Sequence, residues 1–169
     1  MQAYLVAILI LAVATACDLL TKKIPNLLII IGYVSSLATM IILNGFEECY
    51  IYIIRALWPI PVLLIFYFLK ALGAGDIKLF SVISIFCPTE FLIRFIFLSF
   101  VIAALWGICK LIFSGELHIK MSGLIEHVKQ CVALGQYSHY VPGTKSSYIC
   151  FSVCMLIGFL TDIGMEVLL

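Results

Sequence analysis

Two aspartates stand where long uncharged stretches of this sequence end or begin: Asp18 closes one and Asp76 opens another. An ionisable side chain at the margin of a bilayer-spanning run is costly to desolvate, so its presence is informative. Two carboxylates at the same depth that hold one proton between them can divide a hydrolysis: one takes a proton from water and the other supplies one to the leaving amine. A plainer role competes for each, as a helix cap or the partner of a nearby lysine, and Asp76 would gain there from the favourable end of a helix dipole. Its surroundings favour chemistry. In Gly73-Ala74-Gly75-Asp76 two glycines permit backbone conformations and a close approach that side chains would block, so an extended substrate strand could reach the acid. On that reading residues 72–75 are non-helical, and the two carboxyls approach within hydrogen-bond or one-water distance. Lys78 either stabilises charge at the site, anchors to lipid phosphate, or is an ordinary lysine on the positive side of a membrane.

The elements that must position these acids follow from composition. Of 169 residues 64% are hydrophobic and 11% charged, with a mean hydropathy of +1.23, against a charged share of about 25% in globular proteins. That leaves too little polar surface to clothe a soluble core, and excludes a secreted domain or a nucleic-acid binder; a net charge of +1 offers nothing to a polyanion. The length accommodates about six spans of roughly 20 residues, so the expected fold is all-α: a polytopic helical membrane bundle forming one domain, 1–169, with no soluble second domain. The apolar segments cover about 2–20, 26–43, 50–72, 76–86, 90–113 and 147–160. Lys22-Lys23-Ile24-Pro25-Asn26 closes the first and opens the second, Asn44-Gly45 ends the second, and Pro59 and Pro61 should kink the third unless neighbouring helices satisfy the freed carbonyls. Residues 4–16 loosely resemble a signal peptide, but no Lys or Arg precedes them and Lys22 and Lys23 follow, which is the polarity of a retained span. With the connections after spans one, three and five in the cytoplasm, that side holds Lys22, Lys23, Lys70, Lys78, Lys110, Lys120, Lys129 and Lys145, against Arg55 and Arg94 on the other. Both termini then face outward, and Asp18 and Asp76 share the cytoplasmic boundary.

The one sizeable polar stretch, 114–146, carries Leu117, Met121, Leu124, Ile125, Val128 and Val132 at helical spacing opposite Glu116, Lys120, Glu126 and Lys129. It reads as a cytoplasmic amphipathic helix, lying on the membrane surface or packed on the bundle. His118, His127 and His139 fall here without an acidic or cysteine partner at ligand spacing, and the seven cysteines include no C-x-x-C pair, so no metal site and no disulfide framework is expected.

An aspartate before a basic Ile24-Pro25-Asn26 turn between the first two spans, then Gly73-Ala74-Gly75-Asp76-Ile77-Lys78 after the third, resembles the type IV prepilin peptidases, GxGD intramembrane aspartyl proteases. The matched motifs are short, but their order and the span plan extend over essentially the whole chain. The resemblance implies removal of the short basic leader of prepilins or pseudopilins at the cytoplasmic face of the cell membrane, without a cofactor. It implies Asp18 and Asp76 as catalytic residues, and Gly73, Gly75, Lys78, Ile24, Pro25 and Asn26 as residues that shape the site or bind substrate. Longer members carry a cysteine-paired zinc domain and methylate the new N-terminus; that domain has no counterpart here, which places the sequence with the short members and puts methylation in doubt. The presenilin branch shares GxGD but expects a Tyr-Asp pair and a Pro-Ala-Leu motif, whereas Cys17 precedes the first acid here and the late proline stands in Val141-Pro142-Gly143. Glu116 and Glu126 are candidates for contacting the basic leader. The competing class is a non-enzymatic transporter or pilus-assembly subunit whose acids bind protons or ions. Transport calls for acids near the bilayer midplane and related halves, whereas these acids lie at the boundary and no repeat is apparent.

Overall fold

The structure, a computed structural model, describes residues 2–69, 71–113 and 150–168. Its regular elements there are all helical: α1 (Gln2–Thr21), α2 (Asn26–Asn44), α3 (Cys49–Leu57), α4 (Pro59–Phe68), α5 (Ala74–Ser84), α6 (Thr89–Phe113) and α7 (Phe151–Leu168). Among the described residues five stretches are long and apolar enough to cross a membrane: α1, α2, α3 with α4 taken together, α6 as far as Lys110, and α7. The protein is an all-α, multi-pass membrane bundle. The polar segment 114–146, with its three histidines, Glu116 and Glu126, lies outside the described residues, as does Lys70. The helices up to Ile102 together with Cys150–Leu169 form one compact unit, and Ala103–Ile149 a second, of which the end of α6 is described.

The breaks between helices have local causes. Pro25, extended at φ −67° and ψ 138°, immediately precedes α2, a position where its fixed φ and missing donor cost nothing. Gly45 ends α2 at φ +89°, a conformation that a side chain disfavours, while its N–H reaches the Ile41 carbonyl at 2.9 Å. The third apolar run divides at Trp58, where Pro59 opens α4. Pro59 has no N–H to return to Arg55, four residues earlier. The orphaned Arg55 carbonyl accepts instead from the Ser84 hydroxyl on α5 at 2.7 Å, and the Ala56 carbonyl accepts from Ser81. Tyr33 on α2 in turn donates to the Ser81 oxygen at 2.7 Å. The kink is therefore held by polar contacts from a neighbouring helix, as bilayer-embedded backbone requires. Ser84→Ala should strand the Arg55 carbonyl and lower stability by about 1–3 kcal/mol; a thermal or denaturant midpoint equal to wild type in detergent would show that the carbonyl finds another donor.

At 11 residues α5 is only about 16 Å long, well short of a hydrocarbon core of about 30 Å. It forms the centre of the bundle. Ile77 and every residue from Leu79 to Ser84 are buried, and α2, α3 and α4 pack around it. Gly32 makes the approach of α2 possible, since a Cβ there would stand 3.1 Å from a Val82 methyl. Without water between the helices, such small-residue contacts and buried polar bonds hold a membrane bundle together. The same device joins α6 to α7: a Cβ on Gly158 would come within 2.8 Å of the Ser99 hydroxyl.

Aromatic rings run through the interior and fix α7. Tyr4 on α1 stacks on Phe91 of α6 at 5.3 Å, and Phe91 and Phe95 both meet Phe159 of α7 edge-on. Phe95 touches Phe80 of α5, and Phe80 and Phe100 flank Phe151, the first residue of α7. The helix continues past the apolar run that ends near Leu160 because Asp162, fully buried, is compensated by Arg94 of α6 at 3.2 Å. An acid inside the bundle is tolerable only with such a partner.

Candidate active site

Asp18 lies in the last turn of α1 and Asp76 in the first turn of α5. The two helix ends come together because the connection that follows Asp18 packs, through Ile24, against Gly75 at the head of α5. Asp18 is buried, at 3% exposure, whereas Asp76 is half-buried. The pair thus has an inner and an outer member.

The chain returns from α1 to α2 through a tight connection. Lys22 takes the left-handed conformation, φ 54°, while its N–H bonds the Asp18 carbonyl at 2.8 Å. The Thr21 hydroxyl lies 2.8 Å from both the Cys17 and the Lys23 carbonyls, so one proton serves two ends of the turn. This geometry folds Ile24 back onto α5. A Cβ built on Gly75 would stand 3.3 Å from the Cβ of Ile24, tighter than ordinary packing, so glycine is what lets the connection lie against the head of α5. One turn further along α5 the Lys78 ammonium donates to the Asn26 side-chain oxygen at 3.1 Å. Ile24 with Gly75 and Asn26 with Lys78 join the two sequence motifs into one structure, with Pro25 setting the direction of the chain between them.

Gly73 precedes α5 with φ −80° and ψ 153°, and its N–H donates to Asp76 Oδ2 at 3.2 Å. This is half of a capping box, since glycine has no side chain to complete it. A Cβ at Gly73 would lie 3.1 Å from that same Oδ2. The expectation of a non-helical stretch over 72–75 holds for Leu72 and Gly73 and fails for Ala74 and Gly75, which form the first turn of α5. The cause is the Asp76 cap, which allows the helix to begin two residues before the acid. Nor does Gly75 have positive φ: among the described glycines only Gly45 does. Both glycines of the motif serve close approach, one to the carboxylate and one to the Ile24 turn.

One element of the site carries no motif. Ser152, fully buried at the start of α7, donates to Asp18 Oδ2 at 2.7 Å. Its own carbonyl accepts from Thr15, one turn before Asp18, at 3.2 Å. A serine in an apolar run has no diagnostic spacing, so only the fold exposes this contact. Asp162, the buried acid of α7, stands ten residues beyond Ser152 and about 15 Å further along the helix, paired with Arg94; it belongs to the architecture. Among the described residues no group of three or more His, Cys, Asp or Glu side chains is arranged to hold a metal.

Two carboxyl groups thus stand at one end of a membrane bundle, where α1 ends and α2, α5 and α7 begin. The model of the type IV leader peptidase family matches residues 5–108, which takes in Asp18, the Ile24 turn and the glycines before Asp76 and stops short of α7. No curated protein and no solved structure matches the chain.

Proposed function

The chain belongs to the type IV leader peptidase family, and we propose from that premise that Asp18 and Asp76 are the catalytic pair of an aspartyl endopeptidase that removes the basic leader of prepilins or pseudopilins. The observation that carries this reading is the joining of the two motifs through Ile24 on Gly75 and Asn26 on Lys78, with both acids at the same end of the bundle. A prepilin presents a positively charged leader outside the bilayer and an apolar helix within it, so its scissile bond lies near the interface. The lysine distribution supports an orientation with this end of the bundle at the cytoplasmic face of the cell membrane.

In the proposed reaction the pair holds one proton. The ionised carboxyl takes a proton from water as it attacks the scissile carbonyl; the protonated one supports the developing oxyanion and then delivers its proton to the leaving nitrogen. Gly73 and Gly75 keep the rim of the site low enough for an extended substrate strand. Pro25 and Asn26 hold the connection that forms its other wall, and Lys78, engaged with Asn26, pins that wall to α5.

The test is cleavage in oriented membranes. Inverted vesicles containing the full chain, with their cytoplasmic face outward, should release the leader from an added prepilin encoded in the same genome, and mass spectrometry should find a single new N-terminus between the leader and the apolar helix. Right-side-out vesicles should leave the prepilin intact. Absence of leader release from inverted vesicles would refute the activity, and release only from right-side-out vesicles would refute the orientation.

A further inference from the structure

We infer that Ser152 is a positioning residue for the catalytic carboxylate of Asp18, a role that rests on the peptidase reading above. Among the described residues three buried serine hydroxyls reach across to another helix. Two of them, Ser81 and Ser84 on α5, serve carbonyls of α3 beside the proline kink. The third is Ser152, and its acceptor is a carboxylate. Ser36 and Ser99, equally buried, return the proton to their own helix, to the Tyr33 and Phe95 carbonyls. That local bond is the ordinary resting state of a hydroxyl in an apolar helix.

The donor is itself held firmly. Thr15 and Asp18 lie three residues apart on α1, so they share a face, and both meet Ser152: Thr15 through the serine carbonyl and Asp18 through the serine hydroxyl. Phe151, the preceding residue, is packed between Phe80 of α5 and Phe100 of α6. The hydroxyl is thus fixed by three neighbouring helices before it reaches the carboxylate. A carboxylate joined to its helix by one rotatable methylene needs such an anchor, because a displacement of the reacting group by about 1 Å costs on the order of 100-fold in rate. Asp76 receives the equivalent support from the Gly73 backbone N–H within its own turn. Asp18, at the C-terminal end of its helix, accepts across the bundle from α7, 134 residues away in sequence. Substrate binding should depend little on this bond, since Ser152 is fully buried and cannot touch the leader.

The experiment measures leader release by the full-length protein in detergent with a prepilin peptide, for wild type, Ser152→Ala, Ser152→Thr and the inactive reference Asp18→Asn. Ser152→Ala should lower kcat by about 10- to 100-fold with KM within about twofold of wild type, and Ser152→Thr, which keeps the hydroxyl, should recover most of the loss. A folded Ser152→Ala with wild-type kcat would overturn the proposal, as would a folded Ser152→Thr no better than Ser152→Ala. If Ser152→Ala does not fold, Ser152→Cys decides: close in size but a weak donor, it should lose kcat at constant KM, and full activity in it overturns the proposal. Failure of wild type itself to cleave any prepilin would sink the peptidase reading and this role with it. Cleavage by wild type and Ser152→Ala alike, but not by Asp18→Asn, removes the positioning role alone.

Discussion

Asp18→Asn and Asp76→Asn should each abolish leader cleavage while leaving the bundle folded. The separation is possible because one hydrogen bond at each position needs only an oxygen that accepts. Ser152 donates to Asp18 and the Gly73 N–H donates to Asp76, and an amide oxygen can accept either bond. What asparagine cannot do is take a proton from water or return one to the leaving nitrogen. A general acid or base commonly contributes about 10²–10⁴-fold, and in the proposed reaction the pair acts as a unit, so a loss of about 10³-fold or more is expected from either single variant. The double variant should lose little beyond that. Thermal midpoints in detergent should stay close to wild type. Were Asp76 merely the cap of α5, Asp76→Asn would be innocuous, because asparagine serves in that position too. A folded single variant that cleaves within about tenfold of wild type would remove that residue from the mechanism.

Much of this architecture is written in the pattern of apolar runs and their breakers. Pro25, Asn44-Gly45 and the Pro59–Pro61 pair mark helix ends because their backbone chemistry acts within one turn, and the acids stand out because charge at a span boundary is expensive. The central position of α5 is less legible. Its sequence reads like a short span, and its burial on all sides follows from packing by α2, α3 and α4, which no local pattern encodes. The serines show the same divide. Ser81, Ser84 and Ser152 look alike in sequence, yet two complete a proline kink and one holds a catalytic candidate, because each role is set by the helix opposite. The extent of α7 also depends on a distant partner, since Thr161-Asp162 looks like the end of an apolar run until Arg94 neutralises the acid. Long-range polar pairing decides these cases, and a single sequence does not display it.

Gly75→Val should abolish cleavage and destabilise the protein, and Gly75→Ala should divide the two effects. The position is helical, so alanine gains about 1 kcal/mol over glycine in local propensity. Against that gain stands the 3.3 Å approach of a Cβ to the Cβ of Ile24, which requires the Lys22-Lys23-Ile24-Pro25 connection to retreat by a few tenths of an ångström. The two terms are of similar size, so Gly75→Ala should change the thermal midpoint little. Its activity should nevertheless fall several-fold, because the connection that retreats is the wall of the site and is joined to α5 again at Asn26 and Lys78. Valine adds two further methyls at the same point, and overpacking of this kind costs about 1–3 kcal/mol. The wall must then move by more than the Asn26–Lys78 hydrogen bond can follow, and cleavage should drop below detection even in the fraction that remains folded. If glycine served only to begin the helix, alanine would stabilise the protein at full activity and valine would be tolerated. Wild-type cleavage by folded Gly75→Val would therefore show that contact between the Ile24 turn and the head of α5 is dispensable, and with it the join between the two motifs on which the site is built.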